Sequence, residues 1–254
     1  MILDFWKKRR RAEIRERTFP AEFSAITTAN VPYVARLSDA DRRELEGLTL
    51  VFLEEKPFEG CGGLEIDDEI RVTIAAQACL LLLHRDTDMY PNLDAILVYP
   101  SAYRAKTRRV DGNLVIEDEG VRLGESWTRG TVVLAWDSVK HGASHMFDGH
   151  NVVLHEFAHQ LDGEDGSMDG APDLGRRSRY VAWARVLGEE YEELVSRLRA
   201  GRGSDIDAYG ATNPQEFFAV ITEMFFEKSA AMKSRHPALY AELAAFYAQD
   251  PAGH

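Results

Sequence analysis

Hydrophobic positions along the chain switch period several times, and the switches divide it into elements. Leu45, Leu48 and Phe52 recur at helical spacing among charged residues, which predicts a helix over Asp39 to Leu53 capped by Ser38, with Gly47 as a weak point inside it. Glu59-Gly-Cys-Gly-Gly63 reads as a turn. Gly60, Gly62 and Gly63 are not followed by the Gly-Lys-Ser/Thr of a phosphate loop. Asp67 opens a second helix running to about Leu83, with Ile70, Ile74, Ala78 and Leu81 on its apolar stripe. The runs Ala95 to Tyr99, Asn113 to Ile116 and Thr131 to Trp136 are short and β-rich and predict strands. Four helices follow: about Gly149 to Asp162, Leu174 to Arg199, one opened by Asn213-Pro214, and one after Pro237. The expected class is α+β, helix-rich with a small mixed sheet. A single domain is expected over residues 1–254, with 1–60 as a helical extension packed on it.

Composition narrows the partners. Hydrophobic residues at 45% and charged residues at 28% are ordinary for a folded chain. A formal charge of −12 argues against nucleic acid as a partner, because phosphate backbones are bound by clustered Lys and Arg. The basic run Lys7 to Arg11 reads as a solvated or frayed terminal helix, with docking on an acidic partner or a membrane surface as the alternative. Cys61 and Cys79 lack CxxC spacing and read as reduced thiols, Cys79 buried. The apolar stretch Val72 to Leu83 falls short of the roughly 20 residues of a membrane span. The first residues reverse the charge order of a signal peptide. A cytoplasmic protein without a membrane partner is therefore expected.

The candidate chemistry lies in His155-Glu-Phe-Ala-His159, an HExxH sequence. On a helix, positions i and i+4 lie one turn apart on one face, so both imidazoles reach a single ion while Glu156 is offset toward the attacking water. Zinc with three protein ligands leaves a fourth position for water and lowers its pKa to about 7, and a neighbouring carboxylate takes the proton. The flanking Val152, Val153, Leu154, Phe157, Ala158 and Leu161 make this helix largely buried, where two histidines beside a glutamate need a partner such as a metal. Gly163 stands at the expected C-cap.

Spacing leaves the third ligand open. His141, His145 and His150 lie in a polar stretch upstream. Asp165 holds the metzincin position, but Asp162 replaces the glycine of that pattern. Glu216 and Glu223 share one face of the helix opened by Asn213, and Glu216 also fits the third position of a capping box. Asp162 is a candidate acceptor for a ligand imidazole, or simply the helix terminus. Thr131 to Trp136 is a candidate sheet edge for an extended peptide.

Phe58-Glu-Gly-Cys-Gly-Gly-Leu-Glu65, Arg71-Val-Thr-Ile-Ala-Ala-Gln77, Gly124-Glu-Ser-Trp127, Asn151-Val-Val-Leu-His-Glu-Phe-Ala-His-Gln-Leu-Asp162 and Asp207-Ala-Tyr-Gly-Ala-Thr-Asn-Pro-Gln-Glu-Phe-Phe-Ala-Val220 together resemble the Mlc titration factor A family, from about Pro32 to Pro251. The resemblance implies a zincin-like, gluzincin-type peptidase with aminopeptidase activity and an active site related to that of anthrax lethal factor. It implies one zinc ion per chain on His155, His159 and Glu216, with Tyr209 pointing at the site. A phenol there donates a hydrogen bond to the oxyanion of the tetrahedral intermediate; the alternative is a packed turn tyrosine. Glu223 is then expected behind the ligands rather than on the ion. The family is bacterial and cytosolic, and its namesake binds the glucose-responsive repressor Mlc, which implies a role in regulating sugar uptake. Asn213-Pro214 stands where some members have Asp-Pro, and Gly210 where an alanine is common. A repressor-binding protein with a vestigial zinc site is the competing reading, and the intact Glu156 favours the enzyme. A structural zinc site, usually closed by four Cys or His ligands, is disfavoured.

Overall fold

The computed structural model describes the backbone of residues 2–86, 88–101, 103–111, 114–122, 124–127, 130–145 and 147–253, and the side chains of 5–86, 88–101, 130–145 and 147–253. In chain order the elements are α1 (Ile2–Arg15), α2 (Ala21–Asn30), α3 (Asp39–Glu55), β1 (Phe58–Gly60), α4 (Asp68–Leu80), β2 (Ala95–Tyr99), β3 (Tyr103–Asp111), β4 (Leu114–Arg122), β5 (Gly124–Trp127), β6 (Thr131–Ala135), α5 (Trp136–Ser144), α6 (Val152–Asp162), α7 (Arg177–Arg199), α8 (Pro214–Glu227), α9 (Ser229–Arg235) and α10 (Pro237–Tyr247). The α+β class stands, with an architecture consistent with a zincin-like fold.

Helix starts follow local chemistry. Side-chain oxygens of Ser38, Asp67, Asn151 and Asn213 accept backbone N–H groups in the first turns of α3, α4, α6 and α8, and Pro214 follows its cap at the first helical position. Strand β2 has the expected bounds, and Trp136 already belongs to α5. The strand expected at Asn113 to Ile116 is the start of the longer β4; Asn113 itself lies outside the described residues. Glu59 and Gly60, expected to begin a turn, instead belong with Phe58 to a short strand paired with β2.

The larger sheet has the order β1-β2-β6-β5, with β1, β2 and β6 parallel and β5 antiparallel to β6. Thr131 to Trp136 is therefore not the sheet edge that its composition allowed. Strand β6 is paired on both sides, and its four residues from Val132 to Ala135 are buried, as a central strand requires. The edges are β1 and β5.

Helices α6 and α8 pack against each other in the main core. Phe157 of α6 meets Tyr90 and Phe52 at 4.9 Å and 5.7 Å between ring centroids. Gly163 follows α6 at a φ of −83°, so the chain turns on through a short 3-10 segment and the left-handed glycine comes at Gly166, with φ +93°. The loop then ties the end of α6 to the start of α8. Asp162 Oδ2 accepts the Gly170 N–H at 3.0 Å, Trp183 Nε1 donates to the Gly170 carbonyl at 2.9 Å, and the Gln215 side chain donates to the Met168 carbonyl. Gly170 has φ +79°, and a Cβ there would collide with the Pro214 carbonyl. Gly170→Ala should thus destabilise the protein by about 1–3 kcal/mol. The control is Gly175→Ala, where φ is +70° but nothing lies within 4 Å of the added carbon. Equal denaturant midpoints for the two variants would show that the contact with α8 is unimportant.

Candidate metal centre

Helix α6 presents His155 and His159 one turn apart, and α8 brings Glu216 to them across 61 residues of sequence. Glu216 Oε2 lies 3.0 Å from His155 Nε2 and 3.3 Å from His159 Nε2. One ligand atom from each of the three residues lies within 4.8 Å of the others. His159 and Glu156 are buried, at 6% and 4% exposure, while His155 and Glu216 are half-buried. Glu216 does begin α8 as a capping box would have it, its N–H bound by Asn213 Oδ1 at 2.9 Å, but its carboxylate turns to the histidines.

Glu223 occupies the other side of the same imidazole. Its Oε1 is 2.7 Å from His155 Nδ1, and its Oε2 accepts the Asn151 N–H at 2.5 Å. The Asn151 amide donates to Gln77 Oε1 at 2.9 Å. Glu227, one turn further along α8, accepts the Gly149 N–H at 3.0 Å. Burial, with the charge of Glu223 adding to it, raises the Glu227 pKa to about 8 against the hydrogen bond from Asn151. Sequence reasoning missed Gln77, Asn151 and Glu227 as supports of the site. The available signal was a polar residue inside each of two apolar helical runs and the cap position before α6.

Asp162 does not serve a ligand imidazole. It ends α6, its Oδ2 is taken by Gly170, and neither its Oδ1 nor His159 Nδ1 has a hydrogen-bond partner among the described residues. Burial lifts its pKa to about 6 against the backbone N–H groups of Gly170 and Ala171. Asp165 closes a turn onto Ser167 through bonds of 2.9 Å and 2.7 Å. His141 and His145 stack on each other at 4.3 Å between centroids, and His150 Nε2 is 3.7 Å from Asp207 Oδ2. None of these four joins the ligand group. Asp41, Glu44 and His84 form a second cluster of metal-ligating residues, but it is a surface ion pair with His84 39% exposed.

Tyr209 sits on a 3-10 turn, Ala208–Ala211, whose cap Asp207 accepts the Tyr209 N–H at 2.7 Å. The Tyr209 ring lies 5.9 Å from that of His155 and is 54% exposed, more open than the packed turn tyrosine of the alternative reading. A cavity of about 680 Å³ opens beside His155, with Glu156, Tyr209, His141, His150 and Asp207 also among its walls.

Charge in the cluster is set by mutual pairing. Burial opposes a proton on His155, but the carboxylates of Glu216 and Glu223 outweigh it and raise its pKa to about 10. Burial likewise opposes ionisation of Glu216, and hydrogen bonds from His155 and His159 outweigh it, lowering its pKa to about 2. A divalent ion must therefore displace a proton from His155. The sign follows: apparent metal affinity should rise with pH up to about 10 and fall as protons compete at lower pH. Calorimetric titration near neutral pH, in two buffers of different ionisation enthalpy, should show at least one proton released per ion. Identical heats in the two buffers would contradict this.

The α+β core thus brings two helix-borne histidines and a glutamate from a neighbouring helix into one group that could hold a metal ion. Residues 5–248 match the family model described as glucose-regulated metallo-peptidase M90, and the chain belongs to that family. It is thus a metallopeptidase. A Synechocystis sp. protein described as uncharacterised is 44% identical over 248 residues, covering 97% of this chain and 90% of that protein. Mlc titration factor A of Yersinia pestis (strain Pestoides F) is 30% identical over 226 residues, covering 87% and 83% respectively, and that of Yersinia pseudotuberculosis serotype O:1b matches equally. No helix among the described residues is long and apolar enough to cross a membrane.

Proposed function

We propose that this chain is a zinc-dependent aminopeptidase of the cytoplasm, one catalytic domain in which the helices of residues 1–60 are an extension. The observation that carries the reading is the convergence of His155 Nε2, His159 Nε2 and a Glu216 oxygen, with His155 and the adjacent Glu156 lining an open cavity. Two imidazoles and one carboxylate are the donor set of a catalytic zinc site, and three protein ligands suit one ion per chain. When bound, zinc acts as a Lewis acid that polarises a carbonyl and lowers the pKa of water.

The chain's own residues supply the rest. Glu223 and Asn151 fix the ring of His155 so that Nε2 faces Glu216. Glu156 takes the proton of the attacking water and returns it to the leaving amine. Tyr209, exposed beside His155, donates its phenol hydrogen to the carbonyl oxygen as charge develops there. Asp137 and Asp207 on the cavity wall suit the ammonium of a free peptide N-terminus.

Metal analysis of the purified chain, with turnover of free and N-acetylated peptide panels, tests this. Expected are stoichiometric zinc and hydrolysis confined to peptides with a free amine. Lack of zinc, or equal turnover of acetylated peptides, would sink the metal or the aminopeptidase half respectively. The relatives named Mlc titration factor A favour a second role, binding of an Mlc-type transcription repressor. That role predicts repressor capture that persists when Glu156 is changed to glutamine.

A further inference from the structure

Helix α1 carries a surface that the peptidase reading leaves unused. Ile14 faces the core at 1% exposure, whereas Phe5 and Trp6 are 63% and 57% exposed, their rings edge to face at 6.0 Å. Phe5, Arg9 and Ala12 recur at helical spacing on the side away from Ile14, flanked by Trp6 and Lys8. The basic run divides by function. Arg11, largely buried, pairs with Glu55 at 2.6 Å and Asp88 at 2.5 Å, and Lys7 pairs with Asp88 at 3.0 Å, so these two hold α1 on the body of the protein. Lys8, Arg9 and Arg10 stay exposed. Arg9 meets Glu13 and Arg10 meets Glu54, but such solvent-exposed pairs are weak and exchange readily for other anions.

We propose that this face of α1 is a docking surface for anionic lipid, with Phe5 and Trp6 at the headgroup boundary and Lys8 and Arg9 against the phosphates. This goes against the expectation of no membrane partner that the sequence alone supported. Aromatic side chains beside cations on one side of a short helix are what an interfacial, non-spanning helix requires. Charge adds an orientation: the chain carries −12 overall, so an anionic surface repels most of the molecule and attracts this patch. Arg11 and Lys7 keep the helix from turning its aromatic pair inward.

The test is co-sedimentation of the full chain with phosphatidylcholine vesicles, with and without phosphatidylglycerol, at low and high salt. Binding is expected only with phosphatidylglycerol, and it should weaken with salt. Lys8→Ala with Arg9→Ala should lower it by roughly five-fold per charge, and Phe5→Ala with Trp6→Ala should abolish it with the thermal transition unchanged. Absence of binding to anionic vesicles, equal binding to neutral ones, or full binding by both double variants would overturn the proposal. Retention on immobilised polyglutamate without vesicle binding would also overturn it, in favour of an acidic protein partner.

Discussion

Glu156→Gln should leave zinc content and folding intact while lowering peptide hydrolysis by about 10²–10⁴-fold. The side chain is buried at 4% exposure yet borders the cavity beside His155, so it meets both a dry wall and the reacting water. Glutamine matches glutamate in shape and in helix propensity, so α6 should persist. What the amide lacks is the capacity to take a proton at neutral pH. The measurement is kcat for the wild type and the variant at equal zinc occupancy. Wild-type turnover would remove Glu156 from the mechanism, and loss of zinc together with activity would show that it acts on the metal instead.

The second large effect separates the two glutamates of α8. Glu216→Gln should reduce zinc affinity by more than the roughly 10–100-fold typical of residues that only orient a ligand. The carboxylate oxygen lies 3.0 Å and 3.3 Å from the two Nε2 atoms, and a neutral amide there is a poor metal donor. The helix start should survive, because the bond to Asn213 comes from the backbone N–H of residue 216. Glu223→Gln should behave differently. Its carboxylate serves two donors, the Asn151 N–H and His155 Nδ1, and an amide has only one acceptor oxygen for them. One buried donor is left without its partner, which should cost about 1–3 kcal/mol of stability, with zinc affinity falling within the smaller range. Zinc titration and chemical denaturation of both variants decide it. Unchanged affinity in Glu216→Gln, with affinity lost in Glu223→Gln, would reverse the assignment.

Much of the site was legible without coordinates. The alignment of His155 with His159 is a property of one helical turn, and Ser38, Asp67 and Asn213 announce their helices because a cap bonds to N–H groups two or three residues away. The β-rich runs were readable for the same local reason. Their order was not: Thr131 to Ala135 reads equally well as an edge or a centre, and only pairing with β2 and β5 makes it central. Asp162 stood one turn from His159 as a plausible acceptor, yet the loop returning through Gly170 claimed its carboxylate.

Glu216 and Glu223 show the division most plainly. Their spacing puts both on one face of α8, and both do touch His155, one at each ring nitrogen. Sequence determined the helix, its start and the shared face. Which glutamate joins the pair of Nε2 atoms depends on how α8 crosses α6, with its partly exposed first turn beside the histidines and its next turns buried in the core. That crossing is set by the packing of side chains far apart in sequence, a long-range fit that no pattern within either helix encodes.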